Sequence, residues 1–369
     1  NVPHLRFPEF SGEWEIYPLT DFMSFKNGMN PDAKRFGRGT KFISVMDILN
    51  NQFICYDNIR ASVEVVDGDI ETYGVNYGDI LFQRSSETLE DVGQANVYLD
   101  SKPAVFGGFV IRGKSKSNYY PMFFRYLLAS PTARKKIIVK GAGAQHFNIG
   151  QDGLSKVCLN IPSIQEQEKI AKLFECIDTR IATQNKIIED LKKLKSAIRK
   201  KMFSLLKDEY TESFEINQLL DYEQPTAYIV ANDEYSTDTS LTPVLTANKG
   251  FILGYTDEKF GIYQKGECII FDDFTMDAKY VSFPFKVKSS AIKILTAKPN
   301  VNLRFMFEYL SYWELKSEEH KRHYISEIAS LVIELPSKEK QNRIANLMTS
   351  LDNKLVLEEK VKAKYEDKK

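Results

Sequence analysis

The sequence predicts an α+β protein in which two mixed α/β modules alternate with two long helices that pair as an antiparallel coiled coil. Three observations support this fold class. A helix-start motif occurs twice, short apolar runs typical of strands lie between the copies, and an apolar heptad pattern follows each copy. The chain has 369 residues, which is too long for one ordinary core and is typical of two or three domains.

The repeated motif reads IPSIQEQEKIAKLFECIDTRI from Ile161 and LPSKEKQNRIANLMTSLDNKL from Leu335, and the two copies align without a gap. Weaker matches precede it in the same order: WEIYPLTD from Trp14 with FEINQLLD from Phe214, YGDILF with GECIIF, and FFRYLL with MFEYLS. Matches that keep their order indicate an internal pseudo-two-fold duplication. The predicted segments are a first module at residues 1–160, a first helix at 161–207, a second module at 208–334 and a second helix at 335–369.

The modules combine strand and helix signals. Short apolar runs bounded by Gly, Asp or Asn predict strands: KFISV, YGDILFQ, AVFGGFVIR, ECIIF and SSAIKIL. The stretches YYPMFFRYLLASPTARKKIIV and LRFMFEYLSYWELKS have helical spacing. Strands and helices do not alternate regularly, so we expect irregular, partly curled sheets with few helices.

Both long helices are predicted to start at a serine N-cap, Ser163 or Ser337, which follows a proline. Apolar residues then recur at spacings of three and four, as in a coiled coil. We call the line of residues at these spacings the seam of the helix. The seam of the first helix contains Ile170, Phe174, Ile177, Ile181, Ile188, Leu191, Ile198, Met202 and Leu205, with Gln184 and Lys195 at two polar positions. The second contains Ile344, Met348, Leu351 and Leu355, and it weakens from Glu358 onward. A helix of about 65 Å, at roughly 1.5 Å per residue, is too long to be buried in one such module, so we expect a spacer that also binds partners.

Composition limits the classes of function. The net charge is zero, although the repeated segments are basic and the second module is acidic, so any affinity of the chain alone for nucleic acid should be modest. No apolar run approaches the roughly 20 residues of a membrane span, and the first residues lack the pattern of a signal peptide. The four cysteines are widely spaced, which fits a reducing compartment and predicts a cytoplasmic protein without a metal site.

A search for catalytic motifs finds little. The loop IIVKGAGAQHFN has the glycines of a nucleotide-binding turn, but a predicted helix precedes it where such a turn needs a strand. It is either a plain loop or one that presents Gln145, His146 and Asn148 to a nucleic acid. The Asn30-Pro31 pair is followed by Asp32, which does not match the Asn-Pro-Pro-aromatic turn of amino-methyltransferases, and no phosphate-binding loop or nucleophile elbow occurs. We therefore predict a chain that is not an enzyme and binds no cofactor itself.

Polar side chains occur at comparable places in both modules, after an ILF or IIF strand and ahead of each long helix. Arg and Gln can each form two hydrogen bonds with guanine and adenine, and a Gly-rich basic loop suits phosphates. A solvated surface is the simpler interpretation of any one of them. The candidate DNA-contacting residues are Arg35, Arg38, Lys41, Gln83, Arg84, Ser85, Gln145, His146, Asn148, Thr275, Lys279, Tyr280, Lys286, Lys288, Lys321, Arg322 and His323.

The arrangement of two variable modules and two helices that begin Pro-Ser and continue through Gln and Ile-Ala resembles the specificity (S) subunit of Type I restriction–modification enzymes. The start LRFPEFSGEWE is similar to that of this family, and IIFDDFTMDAKYVSFPFKVKSSAIKIL is similar to a recurrent second recognition domain. The resemblance covers essentially the whole chain.

The resemblance implies two target recognition domains, each reading one half of a split, asymmetric DNA site in the major groove, and helices that fix the gap between the halves. It also implies two methyltransferase (M) subunits docked on the helices and two restriction (R) subunits, with S-adenosylmethionine, ATP and Mg²⁺ used by these partners. In that family the second helix is usually about as long as the first, whereas this sequence stops at Lys369, before an equivalent of KKMFSLL at residues 200–206. Two alternatives remain at this point: a coiled-coil scaffold or DNA-mimic regulator without sequence readout, which the acidic second module favours, and a recognition chain of a related fused restriction system.

Overall fold

A computed structural model describes residues 5–206, 212–247, 250–313 and 327–368. The chain divides into two compact units, Asn1–Arg180 and Ile181–Lys368. This division falls within the first long helix, so the four predicted segment boundaries stay a prediction. Among the described residues, no helix combines the length and the apolar character that a membrane span requires.

The first unit contains short strands and short helices followed by one long helix. Its strands are β1 (Glu15–Pro18), β2 (Met23–Asn27), β3 (Phe36–Ile43), β4 (Ser62–Val63), β5 (Ile80–Gln83), β6 (Ser85–Ser86), β7 (Ala95–Val97), β8 (Val105–Phe106), β9 (Val110–Ser115), β10 (Phe147–Asn148) and β11 (Cys158–Ile161). Its helices are α1 (Val45–Asn50), α2 (Asp69–Tyr73), α3 (Pro121–Ala129), α4 (Pro131–Ile138), α5 (Gln151–Ser155) and the start of α6 (Ile164–Leu206).

The strands of the first unit form several small sheets. A four-stranded sheet has the order β2-β9-β5-β7, a three-stranded sheet has the order β4-β3-β8, and β1 pairs with β11. The main core lies between the four-stranded sheet and α3, where Phe82 and Phe124 are fully buried. These small sheets agree with the expectation of irregular sheets.

The second unit contains the end of α6 and a second set of elements. Its strands are β12 (Glu212–Glu215), β13 (Leu220–Glu223), β14 (Thr242–Leu245), β15 (Ile252–Thr256), β16 (Cys268–Asp272), β17 (Ala278–Val281), β18 (Lys286–Val287), β19 (Ile292–Ala297) and β20 (Val332–Leu335). Its further helices are α7 (Ile216–Leu219), α8 (Leu303–Trp313) and α9 (Lys338–Glu366).

The second unit repeats the sheets of the first. It has a four-stranded sheet of order β13-β19-β16-β17, a three-stranded sheet of order β15-β14-β18, and the pair β12-β20, which corresponds to β1-β11. In both units the last strand before the long helix pairs with the first strand of the unit. The predicted fold class and its duplication are therefore confirmed.

The structure corrects the alignment of the two modules at their starts. The amide of Leu19 donates to the carbonyl of Val157, and the amide of Ile216 makes the equivalent bond to Leu331. Leu19 therefore corresponds to Ile216, whereas the match of WEIYPLTD with FEINQLLD pairs it with Leu219, three residues later. Similar letters within short amphipathic segments do not fix strand register, because the register depends on the pairing partner.

The repeated motif contains a glutamine that makes the same two hydrogen bonds in both units. Gln167 is buried, its Nε2 donates to the carbonyl oxygen of Pro162 (2.9 Å), and its Oε1 accepts from the amide of Tyr120 (3.0 Å). Gln341 is also buried, and it bonds in the same way to Pro336 (2.9 Å) and to the amide of Asn302 (2.9 Å). We call this arrangement the glutamine clasp. It joins the start of each long helix to the N-terminus of α3 or α8, where backbone N–H groups lack partners within the helix.

Both long helices form as predicted, with 43 residues in α6 and 29 in α9. The hydroxyl of Ser337 accepts from the amide of Lys340, and that of Ser163 accepts from the amide of Glu166, so both predicted caps are present. Of the predicted seam residues, the buried ones are Ile188, Ile344, Met348 and Leu355, and the half-buried ones are Ile170, Phe174, Ile177, Ile181, Leu191, Ile198, Met202 and Leu351. Leu205 is wrong as a seam residue, since it is exposed and its neighbours Phe203 and Leu206 are buried.

Polar seam residues fix the antiparallel register within the second unit. Gln184 donates to the backbone carbonyl of Glu358 (3.1 Å) and to its carboxylate, and Lys195 bonds to Asp352. The later residue of α6 thus bonds to the earlier residue of α9, as antiparallel helices require. A single polar pair in an apolar seam disfavours other registers, because each of them would leave a buried polar group unpaired.

A buried ion cluster joins α6, α8 and α9 in the second unit. The carboxylate of Glu308 is completely buried, and it lies 2.7 Å from Arg199, 2.5 Å from Arg304 and 3.7 Å from Lys195. Asp352 bonds to both Lys195 and Arg304. Three cations therefore share two carboxylates where the three helices meet.

Candidate DNA-binding surfaces

The structure brings together two predicted groups of the first unit that are far apart in sequence. Strands β6 and β10 pair so that Ser85 lies opposite Asn148, and the hydroxyl of Ser85 donates to the side-chain oxygen of Asn148. The amide of Ile149 also donates to the carbonyl oxygen of Arg84 (2.9 Å). The end of β5 and the Gly-rich loop thus form one polar surface, which we call the Arg84 surface: Arg84, Ser85, Gln145, His146 and Asn148.

The Gly-rich loop is a tight hairpin and not a nucleotide-binding turn. Ala142 and Asn148 exchange backbone hydrogen bonds of 2.9 Å. Gly143 has a φ of 145°, and a Cβ there would lie 2.0 Å from the carbonyl oxygen of His146, so only glycine fits. The hairpin leaves Gln145 and His146 exposed at its tip. The interpretation of this loop as one that presents polar side chains agrees with this geometry.

The predicted phosphate-binding loop is held by acidic neighbours. Arg35 forms an ion pair with Asp69 and donates to the carbonyl of Glu64 (2.8 Å). Arg38 lies 2.7 Å from the carboxylate of Glu64, with most of its side chain exposed, and Lys41 donates to the carbonyl of Ile59 (2.7 Å). Of these three cations, Arg38 is the most accessible to a ligand.

A cavity of about 410 Å³ lies between this loop and the Arg84 surface. Its lining includes Phe42, Ser85, Phe36, Met46 and Phe109, and the last three are exposed. The sequence analysis did not select Met46 or Phe109. For Phe109 a signal was available, because the stretch FGGF places this aromatic residue directly after two glycines. Exposed apolar side chains beside polar ones suit contact with the methyl group of thymine.

In the second unit the candidate residues lie around the β16–β17 hairpin. Asp272 accepts from the amides of Phe274 and Thr275 (both 2.9 Å), which shapes the turn and leaves Thr275 exposed at its tip. Lys279 is half-buried on β17, and Lys288 is exposed after β18. Tyr280 packs against Phe307 and Arg304, and burial raises the pKa of its hydroxyl. Lys321, Arg322 and His323 lie outside the described residues.

Two predicted readers are corrected by the structure. Gln83 is buried, and its Nε2 donates to the carbonyl of Ser85 (2.9 Å), so it supports the Arg84 surface from below. Lys286 is buried as well, with its ammonium 2.8 Å from Glu258 and 2.7 Å from the carbonyl of Phe260. Both side chains are buried and bond to groups of their own unit, so neither is accessible to DNA.

The described residues contain no group of three or more His, Cys, Asp or Glu side chains placed to hold a metal ion. Burial raises the pKa of the Cys268 thiol to about 12, which keeps it protonated and unreactive at neutral pH. The two units share one frame of sheets, and each presents an exposed polar turn beside buried strands, an arrangement suited to binding.

Comparison with known proteins identifies what is bound. The family model of the Type I restriction modification DNA specificity domain matches residues 11–193 and again residues 209–366. The chain therefore belongs to this family. DNA sequence recognition, predicted from the sequence, is confirmed by this match, and the alternative of a scaffold or DNA mimic without readout receives no support.

Similar proteins agree with the family. The chain is 44% identical over 129 residues to the EcoR124I/EcoR124II specificity subunit of Escherichia coli, a match that covers 33% of this chain and 31% of the relative. It is 24% identical over its whole length to a putative type I restriction enzyme specificity subunit of Methanocaldococcus jannaschii, covering 94% of that chain. The crystal structure of the S subunit from M. genitalium matches 99% of this chain and 96% of its own, with a TM-score of 0.60 and 14% identity. The structural likeness supports the duplicated fold.

Proposed function

We propose that this chain is the DNA-reading subunit of a Type I restriction–modification complex, in which each unit reads one half of a bipartite, asymmetric DNA site. The observation that carries the proposal is the duplication itself. Each unit ends in the same glutamine clasp and the same helix start, and each presents its own exposed turn, around Arg84 or around Thr275. Two different readers built on one repeated frame suit a site with two different halves.

We further propose that two methyltransferase subunits dock on the two helix starts, and that restriction subunits join this assembly. Leu173 and Leu347 occupy the same position of the repeated motif, and they are 48% and 42% exposed. Single exposed leucines are common, but the same one in both copies favours the same contact made twice. In this proposal the partner subunits use S-adenosylmethionine, ATP and Mg²⁺, and this chain supplies no catalytic group.

Replacing Arg84 by alanine should relax specificity at one base position of one half-site. Arg84 donates to the carbonyl of Gly108 (3.2 Å) and lies beside Ser85 and Asn148, at the edge of the exposed hairpin. A base contact of this kind contributes about 1–3 kcal/mol to discrimination. The measurement is methylation of a library of randomised duplexes by the complex assembled with methyltransferase subunits, read by sequencing.

The matched control is Arg38→Ala, which removes an exposed cation paired with Glu64 in the same unit. It should weaken methylation of all sites by a similar factor. If Arg84→Ala also weakens all sites uniformly, Arg84 contacts phosphate and not a base. If the wild-type complex methylates random duplexes equally, the proposed function itself is wrong.

Replacing Leu173 or Leu347 by aspartate should remove one methyltransferase subunit each, and the double variant should bind none. A charge in an apolar contact should reduce affinity by at least about tenfold, or about 1.4 kcal/mol. Native mass spectrometry of the assembled complex gives the stoichiometry. Leu194→Asp is the control, because Leu194 is 50% exposed on the same helix and lies outside the repeated motif; equal losses for all three variants would argue against this docking site.

A further inference from the structure

A tight turn of the first unit holds the side chain of Phe109 in solvent. The amide of Val110 donates to the carbonyl of Gly107 (2.9 Å), which closes a turn with Phe109 near its tip. The amide of Gly107 donates to the carbonyl of Ile43 (3.0 Å), and a Cβ at Gly107 would lie 2.6 Å from the buried ring of Phe42. Phe109 is nevertheless 69% exposed, so the turn fixes its position without burying its ring.

Two further exposed apolar side chains line the same cavity of about 410 Å³. Met46 is 61% exposed, and it lies in the first turn of α1, next to the capping box at Ser44. Phe36 is also exposed, and it meets the ring of Phe42 edge-to-face at 5.1 Å. We call Phe36, Met46 and Phe109 the apolar patch. All three belong to a strand, a helix or a closed turn, so they form a surface of fixed shape.

The apolar patch borders the Arg84 surface. Ser85 belongs to both regions, because it lines the cavity and its hydroxyl donates to Asn148. The amide of Arg84 donates to the carbonyl of Phe109 (2.8 Å), and its guanidinium donates to that of Gly108 (3.2 Å). Among the described residues this guanidinium has no carboxylate partner, in contrast to the two arginines of the neighbouring loop. A cation without a partner beside the patch favours an anionic ligand, and the family match indicates DNA.

The second unit has different side chains at the equivalent place. The amide of Asp273 donates to the carbonyl of Ala291 (2.8 Å), as that of Arg84 does to Phe109, so the four residues correspond in pairs. The carboxylate of Asp273 is buried and lies 3.2 Å from the ammonium of Lys293. On the same frame, the first unit thus has an exposed ring and an accessible cation, and the second has a methyl group and a buried ion pair. Such a difference fits two units that read different bases.

The groups that bases display in the major groove decide which base suits the apolar patch. All four bases present hydrogen-bond donors or acceptors there, and thymine also has a C5-methyl group. A purely polar base edge placed against Phe109 and Met46 would lose its hydrogen bonds to water without replacing them, which is costly. A methyl group instead gains free energy when it leaves water. Thymine therefore suits this surface better than the other three bases.

We infer that the apolar patch of the first unit reads thymine, through contact of Phe109 and Met46 with the C5-methyl group in the major groove. This assignment rests on the proposed function and deepens it. The half-site of the first unit contains a thymine, on one strand or the other, whose methyl group contributes to recognition. Phe109 and Met46 are then specificity-determining residues, and Arg84 contacts the DNA beside them.

The test compares thymine with uracil, which lacks only the C5-methyl group. The complex assembled with methyltransferase subunits is titrated with duplexes that contain the recognised site, in which each thymine is replaced singly by uracil. Affinity is measured by fluorescence anisotropy at one salt concentration, because binding to DNA depends on salt. Replacement at the thymine that the patch contacts should weaken binding by about three- to tenfold, as expected for the loss of one buried methyl group.

Protein variants connect this effect to Phe109. Phe109→Ala should weaken binding to the thymine duplex by a similar factor, and it should bind the uracil duplex equally well, because the contact with the methyl group is already lost. Phe109→Leu keeps an apolar side chain and should retain most of the preference for thymine. Leu49→Ala is the matched control, since it removes an exposed apolar side chain from the helix that carries Met46 but lies outside the cavity. It should change neither the affinity nor the preference.

A site in which no thymine is sensitive to uracil, or a sensitivity that persists unchanged in Phe109→Ala, would overturn the inference. Loss of methyltransferase subunits from the Phe109→Ala complex in native mass spectrometry would also overturn it, because the patch would then contact a protein. In each of these cases, a wild-type complex that still prefers its site over random duplexes leaves the proposed function standing. Equal binding of random duplexes by the wild-type complex would instead contradict the function itself.

Discussion

Replacing Glu308 by alanine should lower the free energy of unfolding of the second unit by about 3–5 kcal/mol. Its carboxylate is completely buried and is shared by Arg199, Arg304 and Lys195. Without it, three cations on α6 and α8 would face the single carboxylate of Asp352. Removal of one partner from a buried ion cluster is costly, because the remaining charges keep the desolvation penalty and lose the attraction.

The sequence provides a direct way to measure this effect. The two tryptophans, Trp14 and Trp313, lie in different units, so the fluorescence of Trp313 in a Trp14→Phe background reports urea unfolding of the second unit. Glu359→Ala is the control, because Glu359 forms an exposed ion pair with Lys192 across the same helices, and such pairs contribute less than about 1 kcal/mol. Equal unfolding midpoints for the two variants would show that the cluster does not stabilise the unit.

Replacing Phe203 by alanine should destabilise the second unit by about 3–5 kcal/mol, through lost apolar contact and the cavity that remains. Phe203 contacts three aromatic rings of α8, whereas Leu205, two residues later, is 46% exposed. Leu205→Ala on the same turn should change stability by less than about 0.5 kcal/mol.

The same Trp313 fluorescence measures both variants, since Trp313 packs on Tyr309, a direct neighbour of Phe203. The sequence pattern alone would assign Leu205 to the seam and would predict the opposite order of effects. A larger loss of stability for Leu205→Ala than for Phe203→Ala would therefore support the heptad assignment and contradict the structure.

The long helices were predictable because their signals are local. A serine cap after proline and apolar residues at spacings of three and four give both starts within one residue of α6 and α9. The prediction that Leu205 belongs to the seam was wrong. A straight helix has about 3.6 residues per turn, so a strict 3.5-residue pattern drifts around its surface, and Leu206 faces the core instead. The hydrogen bond between Gln184 and Glu358 could have been predicted, since both are polar residues at seam positions of two paired helices.

The candidate DNA surface was less predictable, because its geometry depends on contacts between distant residues. The pairing of Ser85 with Asn148 joins segments that look independent in the sequence. Lys286 looked like a surface cation, and only the fold reveals Glu258 as its buried partner. The glutamines of the repeated motif were visible as a match, but their two hydrogen bonds could not be inferred without the positions of Tyr120 and Asn302.

The glutamine clasp has a consequence for how such a protein can change. The side chains of Gln167 and Gln341 bond to backbone groups, a carbonyl at the helix start and an amide at the entrance of α3 or α8. Tyr120 and Asn302 each donate the equivalent backbone N–H, although their side chains differ. A different module could therefore be grafted between the attachment points without redesigning the joint, provided that it offers a helix N-terminus in the right place. New specificities would then arise by exchange of whole modules as well as by gradual substitution.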